Sequence, residues 1–464
     1  PQTFEYVARP AATRPTLDAL REQRGGLSGR LKALMIGDSE ESAFTRATLG
    51  DTLLYTARIW PSIAHDIDDV DRAMRWGFGW ELGPFEIIDA IGIRTLLEAL
   101  GASEQAPALL ADALAQGRDT IRSGTTFNPE AAELLVLPAA RSRGVVVGNA
   151  AATVVDTGDG IFAVELHSKM NAIGGDTLAM LQAGVARAEH EGAGLIVATQ
   201  GQVFSAGANL MLLLMEAQDG EWDAVDAMVR SFQRTVLSLR DAQVPVVLAI
   251  NGLTLGGACE MSLHATGVQA AAETYMGLVE VGVGLIPAGC GTKEMLRRAL
   301  ARRPGRQNDP LPFVQQAFET MGFGTVSTSA AHARALGFLR DGDGVTMNRA
   351  RLHADARELV QARAAGYVPG RAPASIAVGG PDMLAALHLG VHLAHRAGRI
   401  SDYDAVIGRK LAWVLAGGNV PHATEVSEDY LLDLEREAFL SLCGEPNTQA
   451  RIAYTLKTGK TLRN

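Results

Sequence analysis

Apolar residues recur at helical spacing through roughly the first quarter of the chain. The stretch "ESAFTRATLGDTLLYTARIWPSI" predicts a helix that stops at Pro61. "DIDDVDRAMRWGFGW" predicts a second, with aspartates near its start, where the helix dipole favours negative charge. "ELGPFEIIDAIGIRTLLEAL" gives a Gly-Pro break and a further helix. Residues 1–125 are therefore expected to form a helical domain, followed by the polar link "RSGTTFNPEAAELL".

From about residue 145 the pattern changes. "GIFAVELHS", "AGLIVATQG" and "VPVVLAING" are short apolar or alternating runs that end in polar residues or glycine, and they predict strands. "TLAMLQAGVARAEHE" and "AVDAMVRSFQRTVLSLRDA" lie between them with helical spacing. Strand and helix in alternation predict an α/β domain. The strand signal fades after Gly284, and the rest of the chain reads as helical, with no internal repeat.

Composition narrows the class. A chain of 464 residues exceeds one ordinary core, which predicts two or three domains. A net charge of -10 with scattered Lys and Arg argues against nucleic acid as the partner. No apolar run approaches the ~18 residues of a membrane span. The start, "PQTFEYVARP", has no basic-apolar leader, and its first residue is not methionine, which is expected of a piece of a longer protein. Three cysteines are too few and too scattered for a disulfide framework. The expected compartment is the cytoplasm.

Two glycine-bearing turns each follow a strand-like run: "GQVFSAGANL" and "NGLTLGGACE". Small residues there let a ligand approach the backbone. Two such turns can aim two N–H groups at one oxygen, making an oxyanion hole. Glu260 follows the second turn, and Glu280 sits among apolar residues in "TYMGLVEVGVGLIPAGCG". Two carboxyls in an apolar pocket can hold a water and pass protons. Taken singly, a glycine turn or a Glu in an apolar stretch is ordinary structure. Order and spacing together favour a site.

"VFSAGANL", "NGLTLGGACEMSLHA" and "VEVGVGLIPAGCGTKEML" resemble, in order, the signatures of the crotonase superfamily, the enoyl-CoA hydratases and isomerases. The likeness runs from about 150 to 310, and "STSAAHARALGFL" extends it to about 340. The resemblance implies a spiral core of strand-helix units over 145–320, completed by a helical region, 321–464. It implies an oxyanion hole from the backbone N–H groups of Ala208 and Gly257, and catalytic acids at Glu260 and Glu280. Both acids together favour a hydratase, a lyase, over a double-bond isomerase of the same family. "LHSKMNAIGGD" matches the segment that contacts CoA, which assigns CoA binding to Lys169, Asn171, Ala172 and Ala206. Lys169 reads equally well as a plain solvated lysine. Three positions depart from the family pattern: Asn209 replaces an Asp but caps a helix as well, Ala258 replaces a glycine, and Val279 a proline.

The earlier stretch "DIDDVDRAMRWGFGWELGPFEIIDAIG" resembles the helical C-terminal domain of 3-hydroxyacyl-CoA dehydrogenases, over roughly residues 35–100. The nucleotide-binding G-x-G-x-x-G unit of a dehydrogenase is not present, and His65 stands outside any catalytic motif. The pairing resembles the C-terminal portion of a bacterial bifunctional dehydrogenase/hydratase of fatty-acid β-oxidation. The resemblance implies an acyl-CoA substrate, no cofactor required by this chain, and NAD only for the missing dehydrogenase part. It leaves a homo-oligomer, a thiolase partner and an inactive scaffolding role open.

Other features carry less. His388, His392 and His395 share one helix face, but no neighbouring carboxylate or cysteine is evident to complete a metal site. Cys259 reads as a buried structural thiol, because no histidine in its motif would activate it. "LMLLLM", apolar all round, reads as core that also lines an acyl-chain pocket.

Overall fold

A computed structural model describes residues 15–22, 26–122, 136–305 and 307–464. The chain divides into two compact units, Pro1–Ala131 and Ala132–Asn464.

The first unit is helical throughout its described residues. Helix Asp51–Ile63 does not stop at Pro61 as expected; it runs on to Ile63, and Ala64 N–H closes it on Trp60 O. Pro61 costs the helix the one bond its N–H would have made to Ala57 O, and the helix ends within a turn of it. Asp66 caps the next helix, Ile67–Phe78, whose first turn carries Asp68 and Asp69. Buried Asp71 accepts Phe85 N–H at 2.8 Å and Glu86 N–H at 3.1 Å, so it caps helix Pro84–Ile91 from outside. A Cβ on Gly83 would sit 2.3 Å from Asp71 Oδ1, which explains the Gly-Pro start of that helix. Arg122 pairs with Asp68 and Asp71 at 2.6 Å each and with Asp89 at 3.3 Å. The aspartates that read as dipole partners in the sequence thus also build a half-buried charge knot around buried Asp71.

The second unit is built on a seven-stranded sheet with strands in sequence order. The strands are β1 (Val145–Gly148), β2 (Ala152–Gly158), β3 (Ile161–Leu166), β4 (Gly194–Ala198), β5 (Val246–Leu255), β6 (Gly267–Gly277) and β7 (Gly344–Thr346). β1–β3 are antiparallel neighbours, and β3–β7 run parallel. Each parallel step needs a crossover, so a chain that always pairs with its predecessor winds into a spiral. Helices Gly175–Glu191 and Trp222–Asp241 are two such crossovers. The strand signal does not end at Gly284: β7, and a separate antiparallel pair β8 (Ile376–Val378) and β9 (Thr424–Val426), lie beyond it. At three residues each, these strands are too short to show an alternation. The C-terminal helices share their core with the sheet: Leu411, Leu415, Leu431 and Leu442 pack in one cluster with Val164, Val197 and Ile250.

Among the described residues, no helix is long and apolar enough to cross a membrane.

Candidate active site

The two glycine turns meet at the end of β5. Ser205 N–H donates to Leu253 O at 3.0 Å, and Leu255 N–H donates to Ser205 O at 3.1 Å, a parallel bridge between Ser205 and Thr254. Ala208 and Gly257 each follow that bridge by the same number of residues, so the register sets them side by side. The approach is close: a Cβ on Gly207 would lie 3.0 Å from Leu255 O and 3.7 Å from Gly256 Cα. Gly207 and Gly256 have φ of 100° and 53°, values that favour glycine.

Both proposed donors are open. Ile173 bonds to the Gly207 carbonyl and the Asn209 N–H, on either side of Ala208, and leaves Ala208's own N–H unused. Gly257 is the first residue of helix Gly257–His264, where an N–H has no intrahelical acceptor. Among the described residues, neither N–H donates to the protein. Asn209 caps helix Leu210–Asp219 by accepting Met211 N–H, as expected of its side chain.

The two acids converge on this point. Glu260 is one turn into helix Gly257–His264 and is buried. Its Oε1 accepts Gly291 N–H at 2.8 Å. Glu280 opens the short turn Glu280–Val283, and its Oε1 lies 3.2 Å from where a Cβ on Gly256 would stand. Its Oε2 is buried and has no hydrogen-bond partner among the described residues. Burial pushes the Glu260 carboxyl up to about 7. Burial, and then the charge of Glu260, push Glu280 well above the usual range. Each ionisation thus bears on the other, and the two carboxyls lose their protons in steps that belong to the pair.

Sequence reasoning missed three supports of Glu260. The first is the seat made by Gly289 and Gly291. A Cβ on Gly289 would stand 2.5 Å from Glu260 Oε2, and one on Gly291 2.6 Å from Oε1. Phe232 is the second, since the same Gly289 Cβ would meet its ring at 2.4 Å, and a Cβ on Gly257 would meet it at 2.8 Å. The third is Glu435, whose carboxyl holds Cys290 and Lys293 N–H groups. The two glycines around Cys290 were the legible signal. We expect Gly289→Ala to cost about 1–3 kcal/mol of stability by overpacking, with a disproportionate loss of turnover as Glu260 is displaced. Thermal melts and steady-state rates check this; an alanine variant with both unchanged would show that the seat is not tight.

The segment expected to contact CoA is strapped to the Gly207 turn. Ala206 N–H donates to Met170 O at 3.1 Å, and Ile173 N–H to Gly207 O at 2.9 Å. Lys169 and Ala206 are exposed and Ala172 is half-buried. The Asn171 side chain points inward, with Nδ2 within reach of Thr199 Oγ1, Val203 O and Phe204 O at 3.0–3.1 Å. It organises the loop beside the turn.

Residues 156–307 match the enoyl-CoA hydratase/isomerase family model, and residues 51–117 match the 3-hydroxyacyl-CoA dehydrogenase C-terminal domain. The second unit thus holds the stretch similar to hydratases and isomerases, and the first unit the dehydrogenase-like one. The dehydrogenase-type match begins and ends somewhat later than the motif suggested. A curated relative, "Probable 3-hydroxyacyl-CoA dehydrogenase" of Bacillus subtilis (strain 168), is 40% identical over 100% of this chain and 60% of its own length. "Putative fatty acid oxidation complex trifunctional enzyme" of Rickettsia felis is 29% identical over 58% of this chain and 36% of its own length. The chain therefore spans less than two thirds of the length of these relatives. The crystal structure of enoyl-CoA hydratase from Bacillus halodurans aligns at 16% identity and TM-score 0.45, over 65% of this chain and 99% of that one.

The weaker features resolve simply. His395 Nε2 lies 2.6 Å from Asp402 Oδ1, a carboxylate the sequence reading overlooked. Even so, no group of three His, Cys, Asp or Glu that could hold a metal occurs among the described residues. Cys259 is buried, and burial raises its thiol well above the usual range, which suits a structural thiol. The "LMLLLM" helix is not apolar core all round: Leu213 and Leu214 are buried, whereas Met211, Leu212 and Met215 are exposed.

Proposed function

We propose that this chain adds water across the 2,3 double bond of a 2-enoyl-CoA to give a 3-hydroxyacyl-CoA. The observation that carries the reading is the meeting of two unused backbone N–H groups with two buried carboxyls, one of which keeps an unpartnered oxygen. In this reading the thioester oxygen lies between Ala208 N–H and Gly257 N–H. They stabilise the enolate-like charge that develops as water attacks C3. Glu260 and Glu280 hold the water. The ionised carboxyl takes a proton from it as the C3–O bond forms, and the protonated one delivers its proton to C2. One proton enters and one leaves the pair, so its charge is unchanged, and return of the proton from the first carboxyl to the second restores the starting state. No metal or nucleotide of this chain takes part.

A family isomerase needs the same oxyanion hole but only shuttles a proton. The second carboxyl favours the hydratase, because holding water takes two acceptors. Lys169 and the backbone of residues 171, 172 and 206 are our candidates for CoA contact. In the longer protein we place this hydratase beside a NAD-binding dehydrogenase unit, in the cytoplasm, where its product would be oxidised. Product analysis tests the choice: incubation with crotonyl-CoA should yield 3-hydroxybutyryl-CoA, and incubation with a 3-enoyl-CoA alone should leave it unchanged. A shifted double bond without hydration would replace this reading with the isomerase.

A further inference from the structure

Besides Glu260 and Glu280 there is a third buried carboxyl, and it shares with Glu260 the turn before helix Gly291–Ala301. The third is Glu435, fully buried on helix Glu428–Cys443. Its Oε2 accepts Cys290 N–H at 3.0 Å and its Oε1 accepts Lys293 N–H at 2.6 Å. Glu260 accepts the amide between them, Gly291 N–H. Cys290 has φ of 81°, and a left-handed residue in a turn gathers successive N–H groups into an anion-holding concavity. One helix N-terminus is therefore divided between a proposed catalytic acid and a second acid from a distant part of the chain.

Nothing in the charge balance requires Glu435. Among the described residues no cation bonds to it. The Lys293 ammonium turns away to His264 Nε2 at 2.9 Å and Glu428 Oε1 at 2.7 Å. Leu431, Ala438 and Leu442, on the same stripe of the helix, are buried apolar residues. Packing alone would favour another apolar side chain at 435.

We infer that Glu435 is a positioning residue for the Glu260–Glu280 pair: it fixes the turn that seats Glu260, and, once ionised on the alkaline side, its charge opposes loss of the pair's last proton. The inference rests on the hydratase reading. The titratable groups that face Glu435 are Glu260 on helix Gly257–His264, Glu280 on its short turn, and Cys290 and Lys293 at the start of helix Gly291–Ala301. Burial and the nearby Glu260 push Glu435 up to about 8, and its charge in turn adds to the rise at Glu280.

The test is a pH series of kcat and KM for crotonyl-CoA on the full chain, for wild type, Glu435→Gln, Glu435→Met and Glu435→Asp, with melting temperatures. The Gln and Met variants remove the charge, and Met also suits the apolar stripe should Gln fail to fold. Either is expected to lower kcat about tenfold or more with KM within about threefold. The alkaline limb should move to lower pH by about one unit, since removing a like charge eases ionisation. Glu435→Asp keeps the charge and should keep the limb near wild type. A folded charge-removing variant with an unmoved limb overturns the inference, as does an Asp variant whose limb moves as far as that of Gln. Carboxyl NMR of Glu-labelled protein separates this from the hydratase reading. The resonance lost in Glu280→Gln should titrate at lower pH in Glu435→Gln or Glu435→Met. An inactive wild type in which that resonance still moves sinks the hydratase reading alone, whereas an unmoved resonance sinks the role of Glu435.

Discussion

Glu260→Gln and Glu280→Gln are each expected to lower kcat by ~10²–10⁴ while leaving CoA affinity near wild type. The amide keeps the volume of the carboxyl and removes its proton transfer. In Glu260→Gln the side-chain amide oxygen can still accept Gly291 N–H, so the seat survives and the chemistry does not. Because both acids act on one water, the double variant should be little worse than either single one. The same pairing predicts a bell-shaped pH dependence. Below the lower ionisation of the pair, which burial has lifted to about 7 at Glu260, both carboxyls are protonated and no base remains. Above the upper ionisation both are charged and no acid remains. Stability moves in one direction only: with the Glu260 carboxyl raised from 4.5 to about 7, its contribution is full below the lower value and is lost as pH rises through the higher one. Near wild-type turnover in either single variant would remove that residue from the mechanism.

Ala208→Pro is expected to lower kcat by ~10²–10³ relative to Ala208→Gly. The proposed donor is a backbone group, so only a residue without an N–H deletes it. The fold does not use that N–H, because Ile173 bonds to Gly207 O and Asn209 N–H instead. Proline therefore breaks no internal hydrogen bond, and Ala208 precedes the helix cap at Asn209 rather than lying within the helix. CoA, which has no thioester carbonyl, should bind both variants alike. Steady-state kinetics, CoA titration and melting curves of the two variants decide it. A folded proline variant within a few-fold of the glycine variant would show that Ala208 is not the donor.

The proposed active residues were legible because each lies in a short local motif with its own turn. The strands β3, β4 and β5 were legible as dense apolar runs. By contrast β6, "GVQAAAETYMG", is rich in alanine and carries Glu273, so it gives no clear strand pattern despite its central place. β7–β9 are too short to signal themselves. Asn171 carried a motif match, yet a side chain's direction depends on the loop it meets, which lies about thirty residues on. Glu435 was hidden for the same reason at greater range, since the amides it holds are 142 and 145 residues away. A trace of it was present: it occupies a position on the stripe Leu431, Glu435, Ala438, Leu442, where an acid interrupts an apolar face.

The central claim is that two backbone amides and two carboxyls make this chain a hydratase. It is tested most directly by adding the purified chain to short, medium and long 2-enoyl-CoAs in metal-free buffer without NAD. The enoyl absorbance should fall for at least one chain length, and mass spectrometry should show a product heavier by one water. Well-folded protein that leaves the absorbance of every substrate unchanged would contradict the account.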